Sequence, residues 1–405
     1  MGRRGLTVTV STGSPPRRKV DLKGLLYRPE VRQIVWQAAL LLALAFALVW
    51  VVQNVAANLR RQNIASGFEF LGRMSGFDVA QSLIEYSNIS TYGRAFWVGL
   101  LNTLLVAVLG IVLATVIGFI VGIARLSSNW LIAKLAAAYV EIVRNVPVLL
   151  QLFFWYFGVL KNLPAPRQSY TLPGGAYFNV RGLYLPAPVF QPGSEIVLGA
   201  LAAGILAVIV LRWRARRRQM LTGQRLPMLW PSLGLIVGLP LAAYLAAGAP
   251  ITLEYPELAG FNFRGGIAVL PELIALLLGL AIYTASFIAE IVRAGILGVP
   301  KGQTEAAQAL GLSRGLALRL VIVPQATRIV IPPLTNQYLN LTKNSSLAVA
   351  IGYPDFVSVF AGTVLNQTGQ AVEVILMTMG VYLAISLVTS LFMNWFNRRM
   401  ALVER

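Results

Sequence analysis

The chain contains no cysteine and no histidine. Their absence removes disulfides, thiol nucleophiles, imidazole bases and nearly every zinc or haem site. Charge is scarce as well: 12% of the 405 residues are Asp, Glu, Lys or Arg, about half the share of a soluble domain. Acidic residues are the scarcer sign, 15 against 34 basic, which gives a formal net charge of +19. Hydrophobic residues make up 57%. A water-soluble fold of this size cannot cover such a composition with polar groups, so lipid must be the solvent over much of the surface. A nucleic-acid binder clusters its basic residues on a polar face. Here they fall between long apolar runs and orient a membrane protein instead, so no nucleic-acid partner is expected. No paired-carboxylate motif offers a membrane enzyme its chemistry either.

What is present is a series of apolar stretches. Residues 1–32 form a basic N-terminal segment with Arg3, Arg4, Arg17, Arg18, Lys19, Lys23, Arg28 and Arg32, expected in the cytoplasm. A charge-free run from Gln33 to Leu59 follows, longer than the apolar part of a signal peptide, and predicts a retained first membrane helix at 33–55. Further spans are expected within 95–124, 131–160, 196–213, 226–253, 270–296, 325–345 and 374–397, eight in all. With both termini cytoplasmic, the inner segments hold 24 Lys/Arg and the outer ones 9, as the positive-inside rule requires. Arg212, Arg214, Arg216, Arg217 and Arg218 form the densest group and read as a stop-transfer anchor. The outer stretch 161–195 is rich in Pro and Gly and predicts a turn-rich external segment.

The most informative polar stretch is VPKGQTEAAQALGLSRGLALRLVIVPQA, residues 299–326. Pro300 and Gly302 should end the preceding helix. Gln303 or Thr304 should cap a new one, with Glu305 in its first turn. Ala306, Ala307, Ala309 and Leu310 then give a small, apolar face, and Gly311 ends or bends the helix. A second helix at 313–323 is expected to run into Pro324. Such a face suits either a groove on a partner or packing against the chain's own helices.

Glu305-Ala306-Ala307, three residues, Gly311, nine residues and Val321-Ile322-Val323-Pro324 resemble the EAA loop of importer-type ABC permeases, with valine replacing Ile at 321 and Leu at 323. The segments 139–158, 283–296 and 340–356 are similar to permeases for polar amino acids of the histidine/glutamate/glutamine class. The resemblance covers 96–161 and 270–397. It implies an all-α polytopic membrane protein with the type I ABC importer transmembrane fold over 96–397. It also implies a bacterial inner-membrane permease subunit, coupled through 299–324 to a separate ATP-binding subunit that holds ATP and Mg. A periplasmic amino-acid-binding protein and a second permease, a shorter homologue, complete the implied assembly. An insertion at 162–268 with two extra spans resembles the larger permease of general L-amino-acid importers. No G-x-x-x-x-G-K-[ST] phosphate loop occurs in the chain, so no cofactor is expected here. The alternative is an ion-coupled secondary transporter, which needs intramembrane acids of its own; only Glu141 and Glu290 qualify, each with an arginine three residues on.

Ionisable groups inside spans are functional candidates by default. Glu141 with Arg144, and Glu290 with Arg293, share helix faces and suit intramembrane ion pairs. Pro147 frees backbone beside Arg144, and the double proline Pro332-Pro333 is expected to break a helix ahead of Asn340, Lys343, Asn344, Ser345 and Ser346. Arg144, Gln151, Asn340 and Ser346 are therefore the candidates for a substrate pathway, with Gln151 facing Asn340. Gly118, Gly122, Gly279 and Ala281 read as sites of close helix packing.

Overall fold

The computed structural model describes residues 29–61, 66–224 and 226–400. The expected basic segment 1–32 lies almost wholly outside the described residues. The chain divides into two units, Met1–Ser66 and Gly67–Arg405. The first supplies one helix, α1 (Pro29–Arg61), whose apolar portion Val31–Val55 matches the charge-free run.

The second unit contains α2 (Tyr92–Ala124), α3 (Trp130–Asn145), α4 (Val148–Asn162), α5 (Ser194–Thr222), α6 (Leu229–Ala246), α7 (Pro271–Leu297), α8 (Lys301–Ala309), α9 (Arg314–Ile351) and α10 (Ala371–Met400). Seven helices among the described residues are long and apolar enough to cross a membrane, and α3 with α4 makes an eighth passage if the bent pair is counted as one. The single span expected over 131–160 is instead two helices at 105°. Asn129 caps α3 by accepting from Leu131 N and Ile132 N, at 3.0 and 3.3 Å. The helix stops at Val146, because Pro147 has no N–H to continue the ladder.

The centre of the second unit is the α2–α7 pair. Small residues set their separation. A Cβ on Gly118 would lie 2.6 Å from Ile288, and one on Gly122 2.8 Å from the Ala289 carbonyl. Gly279 likewise admits Leu152 of α4. Around this pair Leu152, Leu276, Leu280, Ile288 and Leu341 form a fully buried core. A second cluster, built on Phe70, Ala95, Phe356 and Phe360, closes one end of α2. Thr91 caps that end, and the nearby Gly67 N–H donates to Glu373 Oε1 of α10 at 2.6 Å.

The helix expected to break at Pro332-Pro333 does not. α9 runs from Arg314 to Ile351 through Pro324, Pro332 and Pro333, with a π turn at Leu318–Ile322. Each proline removes one backbone donor but fixes φ near its helical value. Packing of α9 between α7 and α10 holds the axis across those gaps. The backbone leaves the helix later, through a 3-10 turn ending at Gly352.

The inserted region holds α5 and α6, which pack chiefly on one another; Gly204 of α5 meets the Leu235 carbonyl, where a Cβ would come within 2.2 Å and is therefore excluded. Its loops contain β1 (Tyr170–Leu172), β2 (Ala176–Asn179), β3 (Gly182–Leu185), β4 (Ala187–Phe190), β5 (Ile251–Glu254), β6 (Glu257–Ala259), β7 (Asn262–Arg264) and β8 (Ile267–Val269). These make an antiparallel sheet β1-β2-β3-β8 and two hairpin-sized pairs, β4-β5 and β6-β7. Turns were legible from Pro and Gly. The strands were not, since β3 and β4 find partners between 61 and 86 residues away in sequence.

Candidate functional site: α8 and the cleft beside α10

α8 starts at Lys301, after Pro300, with no side-chain cap. Glu305 therefore sits beyond the first turn, where neither the capping nor the helix-dipole role expected of this region applies. Gln303 instead accepts from Gln325 Nε2 at 3.2 Å and ties α8 to α9. Ala307 is buried against the chain itself, whereas Glu305, Ala306 and Leu310 are exposed, Leu310 by 81%. Gly311 adopts φ +75°, its N–H bonds the Gln308 carbonyl at 2.8 Å, and Leu312 N bonds the Ala307 carbonyl at 3.1 Å. This is a Schellman stop, and glycine is there for its backbone. Nothing lies within 4 Å of the place a Cβ would take. Ser313 then caps the start of α9, accepting from Leu316 N. Pro324 lies within α9, just past the π turn.

Of the two expected ion pairs, the structure brings one together. Glu290 Oε1 accepts from Arg293 Nη2 at 2.6 Å and Nε at 3.2 Å, and its other oxygen takes a bond from Arg125 of α2. One carboxylate thus bridges two guanidinium groups at the α2–α7 contact, leaving a net charge of +1, and Arg125 is the partner sequence spacing missed. Glu141 and Arg144 are both exposed and do not pair; the Arg144 guanidinium lies 4.8 Å from the centre of the Phe287 ring instead.

The proposed facing of Gln151 and Asn340 is corrected. Gln151 turns back over the α3–α4 break, where Nε2 donates to the carbonyls of Val143 at 2.9 Å and Val146 at 3.0 Å. It is a buried plug for carbonyls that the Pro147 break leaves open, and its donors are spent. Gln151→Leu is accordingly expected to cost about 2 kcal/mol through unpaired buried carbonyls. Gln151→Glu should restore little, since a carboxylate cannot donate to a carbonyl. A drop of several degrees in the thermal midpoint of the purified protein would show the loss.

Asn340 is exposed on α9. Ser346, by contrast, lines a cleft of about 480 Å³ with Lys343, Val357, Thr378, Tyr382 and Ser386. Here α9 and α10 bring one ammonium group and several hydroxyls together. Lys343 forms no ion pair among the described residues. Behind the cleft stands a residue the sequence did not single out: Asp355, fully buried in the turn between α9 and α10. Its Oδ1 accepts from Ser358 N at 2.8 Å and its Oδ2 from Tyr382 Oη at 3.2 Å. Burial pushes the carboxyl up to about 7. Asn102 and Thr103 of α2 hold that turn, Asn102 through the Pro354 carbonyl at 2.9 Å and Thr103 through Phe356 N at 2.9 Å. An acid directly after a proline in an otherwise apolar run was the available signal.

Residues 114–402 match the family model described as binding-protein-dependent transport system inner membrane component. The chain belongs to that family. It is 56% identical over 386 residues, 95% of this chain and 96% of the other, to the general L-amino acid transport system permease protein AapQ of Rhizobium johnstonii. It is 54% identical, over 96% of this chain and 99% of the other, to the putative amino-acid ABC transporter permease protein YhdX of Escherichia coli. Among solved structures, an amino acid ABC transporter with histidines is 22% identical, covers 76% of this chain and 95% of that one, and superposes with a TM-score of 0.46. The family is that of ABC transporter permeases, and this chain is a multi-pass transport subunit of it. No finding supports the ion-coupled alternative.

Proposed function

We infer that this chain is the larger permease of a binding-protein-dependent importer of L-amino acids in a bacterial inner membrane, with both termini cytoplasmic. The family match and the two near-full-length relatives support the substrate class. In this reading a periplasmic binding protein delivers substrate, a second and shorter permease completes the pathway, and a separate subunit binds ATP and Mg. The cleft of Lys343, Ser346 and Tyr382 is the best candidate for the path. It offers an ammonium group to a substrate carboxylate, while the hydroxyls of Ser346, Thr378 and Tyr382 already donate to the Lys343 and Val374 carbonyls and to Asp355, and keep only acceptor capacity for a substrate ammonium.

The carrying observation is α8. A short helix stopped by a Schellman glycine presents Glu305, Ala306 and Leu310 to the outside, while Ala307 is buried and Gln303 bonds Gln325 of α9. Leu310, 81% exposed at the end of this helix, is free to enter a groove on a partner. Leu310→Glu should therefore leave the amount and thermal midpoint of the chain unchanged but lower co-purification of the ATP-binding subunit at least tenfold. Undiminished co-purification together with undiminished transport overturns the assignment of α8 as the coupling helix.

A further inference from the structure

The inserted helix pair ends in a concentration of positive charge that the importer reading does not use. Arg212, Arg214, Arg216, Arg217 and Arg218 are all exposed on the last turns of α5. At 100° per residue, Arg212 and Arg216 share one face, and Arg214, Arg217 and Arg218 the other. No acidic residue occurs between Glu195 and Glu254. None of the five arginines forms an ion pair among the described residues. A helix end carrying five unneutralised guanidinium groups, encircling the axis, needs anions from elsewhere.

Their position says which anions. The apolar part of α5, residues 196–211, is about 24 Å long, short of the roughly 30 Å of a bilayer's hydrocarbon. Arg212 is therefore drawn to the level of the lipid headgroups rather than held clear of them. Two indoles lie toward the same end of the helix pair. Trp213 lies under Arg217, whose guanidinium carbon is 3.8 Å from the ring centre, and Trp230 is exposed near the start of α6. Gly204 meets Leu235, so both tryptophans lie on the loop side of that contact, about 14 and 8 Å along their helices. Tryptophan concentrates at the membrane–water interface, and guanidinium pairs with phosphate through parallel N–H bonds.

We propose that the arginine-ringed end of α5, with Trp213 and Trp230, is a binding site for the phosphate headgroups of anionic phospholipids. The pair α5–α6 then holds a shell of such lipids at the edge of the permease. This rests only on α5 and α6 spanning the membrane, and stands whether or not α8 couples to an ATPase.

The test uses the full-length chain, purified with the subunits that accompany it, and native mass spectrometry of lipid adducts. Phosphatidylglycerol and phosphatidylcholine are titrated against wild type and against R216Q/R217Q and the fivefold Arg→Gln variant. Each neutralised arginine should weaken phosphatidylglycerol binding about fivefold, so the double variant falls about 25-fold, with phosphatidylcholine binding unchanged. The double variant, altered only at exposed positions, keeps the measurement valid if the fivefold variant folds poorly. Equal binding of the two lipids by wild type overturns the proposal, as does undiminished phosphatidylglycerol binding by R216Q/R217Q. Glycerol 3-phosphate at equal concentration should not displace the lipid; displacement would assign the site to soluble phosphates. If the variants keep the lipid but lose a co-purifying protein, the ring is an acidic-protein interface and the lipid proposal is wrong.

Discussion

Gly118→Leu is expected to abolish accumulation of folded protein. The α2–α7 contact leaves no room: a Cβ at 118 would stand 2.6 Å from two carbons of Ile288 and 3.0 Å from the Ala285 carbonyl oxygen. Those neighbours belong to a helix buried on most of its faces, so neither can retreat without moving the core around Leu276 and Leu280. Overpacking a core typically costs about 1–3 kcal/mol, and a leucine against backbone belongs at or beyond the upper end. Gly122→Val should behave alike, since Ala289 O and Val292 would lie 2.8 Å from its Cβ. Gly199→Leu on α5 is the control, because nothing lies within 4 Å of that position. Size-exclusion profiles of detergent-solubilised protein read the result. Monodisperse Gly118→Leu with an unchanged midpoint would disprove the packing.

Glu290→Leu is expected to cost about 2 kcal/mol. Removing one partner of a buried ion pair costs roughly 3–5 kcal/mol, and partial exposure of these side chains, 28% for Glu290 and 33% for Arg293, lowers that figure. Arg125, only 13% exposed, suffers most, for it loses its carboxylate without gaining water. Arg125→Met combined with Glu290→Leu should recover part of the loss, which a double-mutant cycle on thermal midpoints measures. Glu141→Leu should change stability little, because Glu141 is exposed and unpaired with Arg144. Equal losses at 141 and 290 would mean that helix spacing alone, rather than the Arg125 contact, sets the cost.

That contrast shows what the sequence carried and what it withheld. Charge-free or nearly charge-free runs located α1, α2, α5, α6, α7 and α10, because length and apolarity are what a bilayer demands of each span separately. The small residues of the α2–α7 contact were legible for a related reason: only close packing explains glycine within apolar helices. Identical i, i+3 spacing, however, yielded a bonded pair at 290/293 and an unbonded one at 141/144. The difference lies in what crosses from another helix, Arg125 in one case and Phe287 in the other. Proline misled in a similar way. Pro147 ended its helix and Pro332-Pro333 did not, since packing between α7 and α10 holds the second axis. Gln151 was rightly marked beside the Pro147 break, but its amide serves the break itself. Asp355 was overlooked because its burial is created by α2 and α10 together, which no local pattern records.

α9 has a mechanical property of its own. Residues 314–344 of α9 form a strut of about 46 Å, joined at one end to α8 and carrying Lys343 at the other, with Ser346 in the 3-10 turn beyond. A rod clamped between two neighbours transmits an axial thrust almost undiminished and resists transverse bending. The ladder of bonds is altered at the π turn Leu318–Ile322, at the prolines 324, 332 and 333, and in the 3-10 turn Ser345–Ile351. All but the last lie on the α8 side of Lys343. Four of the five irregular places in α9 thus lie between α8 and the cleft, and the fifth carries Ser346 of the cleft itself.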